Sequence, residues 1–302
     1  MTKFRQTLSY VSVFTLLCVT LSCSDKEDPA PDPANFACLL LKEQVTFPTP
    51  GESLTRDFHF DQNYLSHVSE VYQGQRPLTT SIMYDYNTVG DVASTTLLDA
   101  QARPLEAHEF LYGLDGLVRQ VNVYNKKQNP GSGSLQLYNT KELTFNNKQQ
   151  LVSLKNWLVT TSPRLLLNDF TFTYDAKGNL TQVQEYRVTR YSETNPEDFN
   201  DIVLKVSFTH DNKVNPYNEN LYVMFLPNTG IFIPGLSTNN ILSTTSVSTL
   251  EGTKKGPGSN YDPSVYNYTR TNTYEYNDQG RPAKVTSSVG TVRTFTYKCE
   301  QQ

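Results

Sequence analysis

The chain has 302 residues, a formal net charge of −4, 37% hydrophobic and 12% aromatic residues, and four cysteines. A mildly acidic chain without a basic block is a poor match for nucleic acid. The length suits one large all-β domain or two smaller ones, and one is the simpler reading.

Lys3 and Arg5, an apolar run over residues 8–21 and the small Ser22 before Cys23 read as a signal peptide. The run is too short, and its flank too polar, for a membrane span. Val19-Thr20-Leu21-Ser22-Cys23 resembles a bacterial lipobox, which implies lipidation of Cys23 as the first mature residue. Ordinary secretion, with Cys23 left as a free or bridged thiol, is the alternative. Removing residues 1–22 deletes two basic side chains and no acidic one, so the net charge falls from −4 to −6. Ser24-Asp25-Lys26-Glu27-Asp28 is similar to the export signal that sends lipoproteins of Bacteroides-type bacteria to the outer face of the outer membrane. A solvated start to a linker would look the same. Pro29, Pro31 and Pro33 make residues 23–36 a semi-rigid tether, reaching about 3 Å per residue.

Residues 37–302 then read as a single β domain. Cys38 and Cys299 lie near its two ends, in a compartment where thiols oxidise, so a disulfide is expected between them. Two buried free thiols on neighbouring strands are the other possibility.

Residues 170–186 show the organising pattern most clearly. Phe170, Phe172 and Tyr174 alternate with Thr171 and Thr173 in the period of a half-buried strand. Asp175-Ala176-Lys177-Gly178 supplies a self-bonding carboxylate and a glycine free to take positive φ, and a second strand follows. The same order recurs at Phe60-Asp61, Tyr86-Asn87 with Gly90, Leu98-Asp99, Tyr112-Gly113 with Gly116, Phe145-Asn146, His210-Asp211 and Tyr276-Asn277 with Gly280. About eight hairpins are therefore expected. A spacing of three after each turn, as in Leu65 to Val68, Val118 to Val121, Leu151 to Leu154 and Leu180 to Val183, breaks strict alternation. A bulge just after the turn would account for it.

The Tyr-Asp-x-x-Gly-x-Leu pattern resembles the YD repeats of the RHS family of toxin shells and adhesive surface proteins. With the lipobox, Asn215-Pro216-Tyr217 and Asn239-Asn240-Ile241, the chain looks most like RHS-related, YD-repeat-like lipoproteins of Bacteroides-type bacteria, a domain of unknown function. The resemblance implies an antiparallel meander forming a curved open sheet, the repeats being too few to close a large shell.

The insertion at residues 217–265 interrupts the series. Its apolar stretch, with Tyr222, Phe225 and Phe232, is expected to act as a plug over an apolar face, or as a lip beside a binding groove. Pro227, Gly230, Pro234 and Gly235 argue against a long regular strand there.

Catalytic chemistry is not encoded in any recognisable motif, and no cofactor or metal is expected. His59, His67, His108 and His210 do not pair with one another, or with Cys or Asp, at a zinc-ligand spacing. Asp61, Asp99, Asp175, Asp211 and Asp278 fall at turns, where self-capping explains them. Glu106, Glu109, Glu142, Glu185 and Glu275 lie on strands and could cluster on one face, as a glycoside hydrolase would require. Nineteen tyrosines, mostly on strands, suit either core packing or recognition of a glycan, peptide or protein. The expected function is that of a surface-exposed outer-membrane lipoprotein that binds or scaffolds without catalysis. A carbohydrate-active hydrolase and a passive envelope component are the alternatives.

Overall fold

A computed structural model describes residues 36–61, 64–126, 134–159, 164–190, 199–217, 233–254 and 262–301. The proposed leader, Cys23 and the tether up to residue 35 lie outside the described residues, as do Tyr222, Phe225 and Phe232.

The strands are β1 (Phe36–Thr46), β2 (Ser53–Asp61), β3 (Tyr64–Gln73), β4 (Leu78–Tyr86), β5 (Val92–Asp99), β6 (Pro104–Tyr112), β7 (Val118–Asn125) and β8 (Gln136–Phe145). They continue as β9 (Leu151–Leu158), β10 (Leu165–Tyr174), β11 (Leu180–Arg190), β12 (Phe199–Val214), β13 (Asn239–Lys254), β14 (Tyr268–Tyr276), β15 (Pro282–Ser287) and β16 (Val292–Gln301). Each pairs antiparallel with its neighbours in sequence, and β1 pairs with β16 from Phe36↔Gln301 to Thr46↔Val292. The sheet is a closed barrel of sixteen strands.

The repeat becomes physical at the turns. In the β10–β11 hairpin Asp175 N donates to Asn179 O (2.9 Å), Gly178 N donates to Asp175 O, and Gly178 takes φ 88°. One Asp175 oxygen accepts from the backbone of both Lys177 (2.8 Å) and Asn179 (2.9 Å). The same bonds bracket Asn87–Asp91, Asp99–Arg103, Gly113–Leu117, Asn146–Gln150 and Asn277–Arg281. Ala102 and Gln149, which stand in the glycine slot, are held at φ 58° and 61°. Register shifts sit beside the turns, pairing Tyr86 with Val92, Tyr112 with Val118, Phe145 with Leu151, Tyr174 with Leu180 and Tyr276 with Pro282. This is the bulge that the spacing of three requires.

The tyrosine before the turn has a second task. Tyr86 OH donates to Leu65 O (2.9 Å), Tyr112 OH to Val92 O (2.8 Å) and Tyr174 OH to Leu151 O (2.9 Å). Each acceptor is the first or second residue of the returning strand in the preceding hairpin, so the phenol ties one hairpin to the next. Tyr297 OH closes the series on Pro282 O (2.8 Å). Every such bond contributes about 1 kcal/mol net. Phe145 occupies the same slot without a hydroxyl and makes no such tie.

Closure corrects the open sheet expected from the repeat count. An open sheet of this pattern would leave its apolar face wet and two edges unpaired; closing it removes both liabilities. The bulge after each turn adds local twist and bend, which helps the sheet curl until β16 meets β1. Cys38 and Cys299, opposed in that seam, form the expected disulfide (S–S 2.09 Å). No plug accompanies it among the described residues. Within the insertion, a 3-10 turn, Ile233–Leu236, and a buried Ser237 lead into β13, a regular strand not expected to dominate the insertion. Ser237 Oγ accepts from Leu180 N (3.2 Å), and Asn215 Nδ2 donates to Ser237 O (3.0 Å), so polar contacts seat the insertion.

Which face lies inside follows from burial. Phe58, Val68, Ile82, Leu97, Phe110, Val121, Leu143, Leu154, Phe172, Val183, Phe208, Val285 and Phe295 form one core cluster, so the apolar face is the inner one. The outer row of β12 to β14 reads Lys205, Ser207 and Thr209, then Ser243, Thr245 and Val247, then Thr271, Thr273 and Glu275. A barrel that crosses a membrane has the opposite pattern, and a single lysine at the bilayer midplane costs about 2–4 kcal/mol. On these strands the wall is built to face water.

Candidate functional site

The barrel interior is not uniformly apolar. Most of the repeat turns and the two chain ends lie at one end of the barrel. Toward the other end, inward positions of β1, β2, β3 and β16 carry charge. Glu43 on β1 is fully buried and accepts from Arg56 Nη1 (3.0 Å) and from the hydroxyl of Tyr217 (2.7 Å), with Arg293 Nη1 at 3.7 Å. Arg56 Nε donates in turn to Glu70 (2.6 Å), whose second oxygen accepts from Thr80 Oγ1 (3.3 Å). Burial opposes the Arg293 charge, but Tyr217 and Glu43 outweigh it and raise its pKa. Burial above all, then the Glu43 carboxylate, pushes the Tyr217 phenol up. Tyr217 follows β12 in sequence, so its bond to β1 braces parts of the chain that are far apart in sequence.

Beside this network lies a cavity of about 360 Å³. Val206 and Phe208 of β12, Ile241 and Thr244 of β13, Tyr268, Arg270, Asn272 and Tyr274 of β14, Val285 and Ser287 of β15, and Arg293 and Phe295 of β16 line it, with Asn215, Tyr217 and Asn240. The register explains the set. Phe208 opposes Thr244, which opposes Arg270; Tyr274 opposes Val285, which opposes Arg293. All therefore point inward. The β13–β14 ladder extends only from Ser243↔Thr271 to Ser246↔Tyr268, and the β15–β16 ladder from Lys284↔Thr294 to Thr286↔Val292, so strand pairing is short here. Phe208, Ile241, Val285 and Phe295 give an apolar floor. Arg270, stacked on the Tyr268 ring at 4.6 Å, and Arg293 give two cations above it. Tyr274 donates to Ile241 O (2.8 Å), and burial, with help from Asp211, moves its pKa up to about 12.

A second polar sector lies across β4 to β11. Tyr84 opposes Thr95, Thr95 opposes His108, and Lys141 opposes Asn156. Tyr84 OH, Thr95 Oγ1, Asn139 Oδ1 and Asn156 Oδ1 are buried without a hydrogen-bond partner. Burial lowers the pKa of Lys141, with Glu106 acting in the other direction.

The strand carboxylates do not assemble. Glu106 and Glu185 face inward, whereas Glu109, Glu142 and Glu275 face out. Glu106 meets His108 Nε2 at 3.0 Å, and Glu185 is held by Arg187 through two bonds (2.7 and 2.8 Å) and by Asn168 (2.7 Å). Among the described residues no three His, Cys, Asp or Glu side chains group as metal ligands. Asp175, Gly178, Asn87, Gly90, Asn277 and Gly280 serve the turns. Among the described tyrosines, Tyr84, Tyr86, Tyr112, Tyr174, Tyr217, Tyr274 and Tyr297 are buried or packed on the core, whereas Tyr64 and Tyr268 are exposed. Sequence reading missed Glu43, Arg56, Arg270 and Arg293 because each belongs to an ordinary strand. The available signal was an isolated charge at an inward position, which only the register reveals.

No family model matches the chain, and no curated protein matches it. Among solved structures it is similar to a porin-like protein from Bacteroides uniformis, at 10% identity and a TM-score of 0.49, over 86% of this chain and 96% of that one. A porin-like protein from Bacteroides vulgatus aligns at 10% identity and a TM-score of 0.41, over 87% of this chain and 99% of that one. Likeness at this level carries no function to the chain. The placement among RHS-related, YD-repeat lipoproteins is overturned: no such family model matches, and the sheet closes as a barrel instead of remaining an open meander.

Proposed function

We propose that this chain is an outer-membrane lipoprotein whose barrel stands in water and holds a small amphipathic anion, without catalysis. The observation that carries the reading is the cavity of about 360 Å³, in which an apolar floor faces Arg270 and Arg293. Concave, mostly apolar pockets with a few convergent polar groups are the usual form of small-molecule sites, and Arg270 stands exposed at the mouth of this one. The orphaned hydroxyl and amide oxygens across the lumen support a polar occupant further along the same interior. Recognition of a glycan or peptide would then use the lumen, not the outer wall.

The probe is 1-anilinonaphthalene-8-sulfonate, an aromatic anion, titrated into the folded full chain in detergent. Saturable fluorescence is expected, weakened about tenfold by Arg270→Ala, which is the loss of one charge-assisted contact. Arg270 lies outside the buried Glu43 network, so the barrel should survive the change. Fluorescence that does not saturate, or that ignores the substitution, would refute the site. The address rests on the Cys23 motif: the mature chain should partition into a detergent phase, and Cys23→Ser should move it to the aqueous phase. Detergent partitioning that persists in Cys23→Ser would remove the lipid anchor from the proposal.

A further inference from the structure

A cleft of about 560 Å³ opens beside the β2–β3 and β4–β5 turns. Its described lining sets three tyrosines, Tyr64, Tyr84 and Tyr86, against Asp61, with Ser66 and residues 87–90 completing the wall. Tyr64 is 51% exposed, yet it leans over the neighbouring turn, where a Cβ on Gly90 would lie 3.0 Å from its hydroxyl. Gly116 and Gly280, in the same slot of other turns, have open space around them, so the turn itself does not call for an aromatic cover. The Tyr64 and Tyr86 rings meet at 5.1 Å and 67°, an edge-to-face pair in which one ring keeps both faces open. Tyr86 is fixed in place by its bond to Leu65 O (2.9 Å). Tyr84 brings a buried hydroxyl that has no hydrogen-bond partner.

We propose that this cleft binds a small substituted ammonium ion of the trimethylammonium class. Aromatic ring faces carry negative potential and attract a cation within about 6 Å of the ring centre. Asp61 is the one charged side chain in the described lining, is exposed, and makes no ion pair among the described residues. No lysine or arginine of the described lining competes for it. The neighbouring charges are engaged elsewhere: Asp85 accepts from Ser94 Oγ (3.0 Å), and Arg56 and Glu70, deeper in the lumen, hold each other (2.6 Å). His67 touches the lining through Ser66 Oγ (3.3 Å). A quaternary nitrogen has no N–H to satisfy, so it asks for ring faces and a nearby carboxylate, not for a set of converging acceptors. The Tyr84 hydroxyl is left to bond a polar tail on the same ligand. The cleft shares no lining residue with the cavity beside Arg270 and Arg293, whose cations suit the opposite charge.

Choline would be titrated by calorimetry into the full mature chain in a non-ionic detergent, at about pH 8, where imidazoles are neutral. The control is the dimethylbutanol in which carbon replaces the choline nitrogen, a ligand of the same shape without the charge. Choline should bind saturably, and the uncharged alcohol about tenfold more weakly. Tyr64→Ala, a change at an exposed ring, should weaken choline by about tenfold while circular dichroism shows an intact barrel. Asp61→Asn should weaken it by about threefold, the loss of one solvent-exposed charge. Absence of saturable choline binding, an equal affinity for the uncharged alcohol, or indifference to Tyr64→Ala would overturn the cation site. Unchanged binding in Asp61→Asn would overturn the part given to the carboxylate.

Discussion

Glu43→Ala should lower stability by about 3–5 kcal/mol, the cost of leaving a buried charge without its partner. Glu43 is the common acceptor for Arg56 and Tyr217, and it faces Arg293, with no exposure of its own. Without it, Arg56 keeps only Glu70, and Arg293 loses the carboxylate it faces. Glu43→Gln preserves the shape and still loses the charge, so most of the loss should remain. A Glu43→Leu, Arg56→Met double variant should recover little of it, since it strands Glu70 and Arg293 in turn. Urea unfolding followed by circular dichroism gives the comparison. A single Glu43→Ala loss below about 1 kcal/mol would mean that water reaches the network and screens it.

Removing the bridge with Cys38→Ser and Cys299→Ser should cost a similar amount by a different route. The two cysteines are 261 positions apart, and closing so long a loop lowers the entropy of the unfolded chain by an amount worth about 5 kcal/mol. The folded state loses little, because the β1–β16 ladder continues on both sides of the seam. The signature is therefore a lower unfolding midpoint with a native far-ultraviolet spectrum, reproduced in the wild-type chain by reductant. If reduction opens the barrel at once, the ladder alone cannot hold the seam and the bridge acts on the native state.

Much of the local structure was legible in the residues. Asp175 and Gly178 announce a turn because a short carboxylate can bond the next amides and a residue without Cβ can take positive φ at no steric cost. Leu180 to Val183 announces the bulge, since only an extra residue puts both on one face. The reach of the Tyr174 hydroxyl to Leu151 was not legible, because it depends on how neighbouring hairpins stack. His59 and His67 illustrate the same limit. They lie eight positions apart along the chain, yet one bulge in a tight hairpin makes them stacked neighbours.

The sequence by itself determined the strands, the turns, the bulges and the cysteines available for a bridge, all of which depend on a few adjacent residues and their backbone preferences. Tertiary structure decided that the sheet closes, that the apolar face lies inside and water outside, and that Glu43, Arg270 and Arg293 share one interior. Closure sums twist and register over sixteen strands and joins residues at opposite ends of the domain, so no local pattern contains it. Once closed, burial of the apolar face fixes the inner side, and the charges that alternate into it meet because they have nowhere else to point.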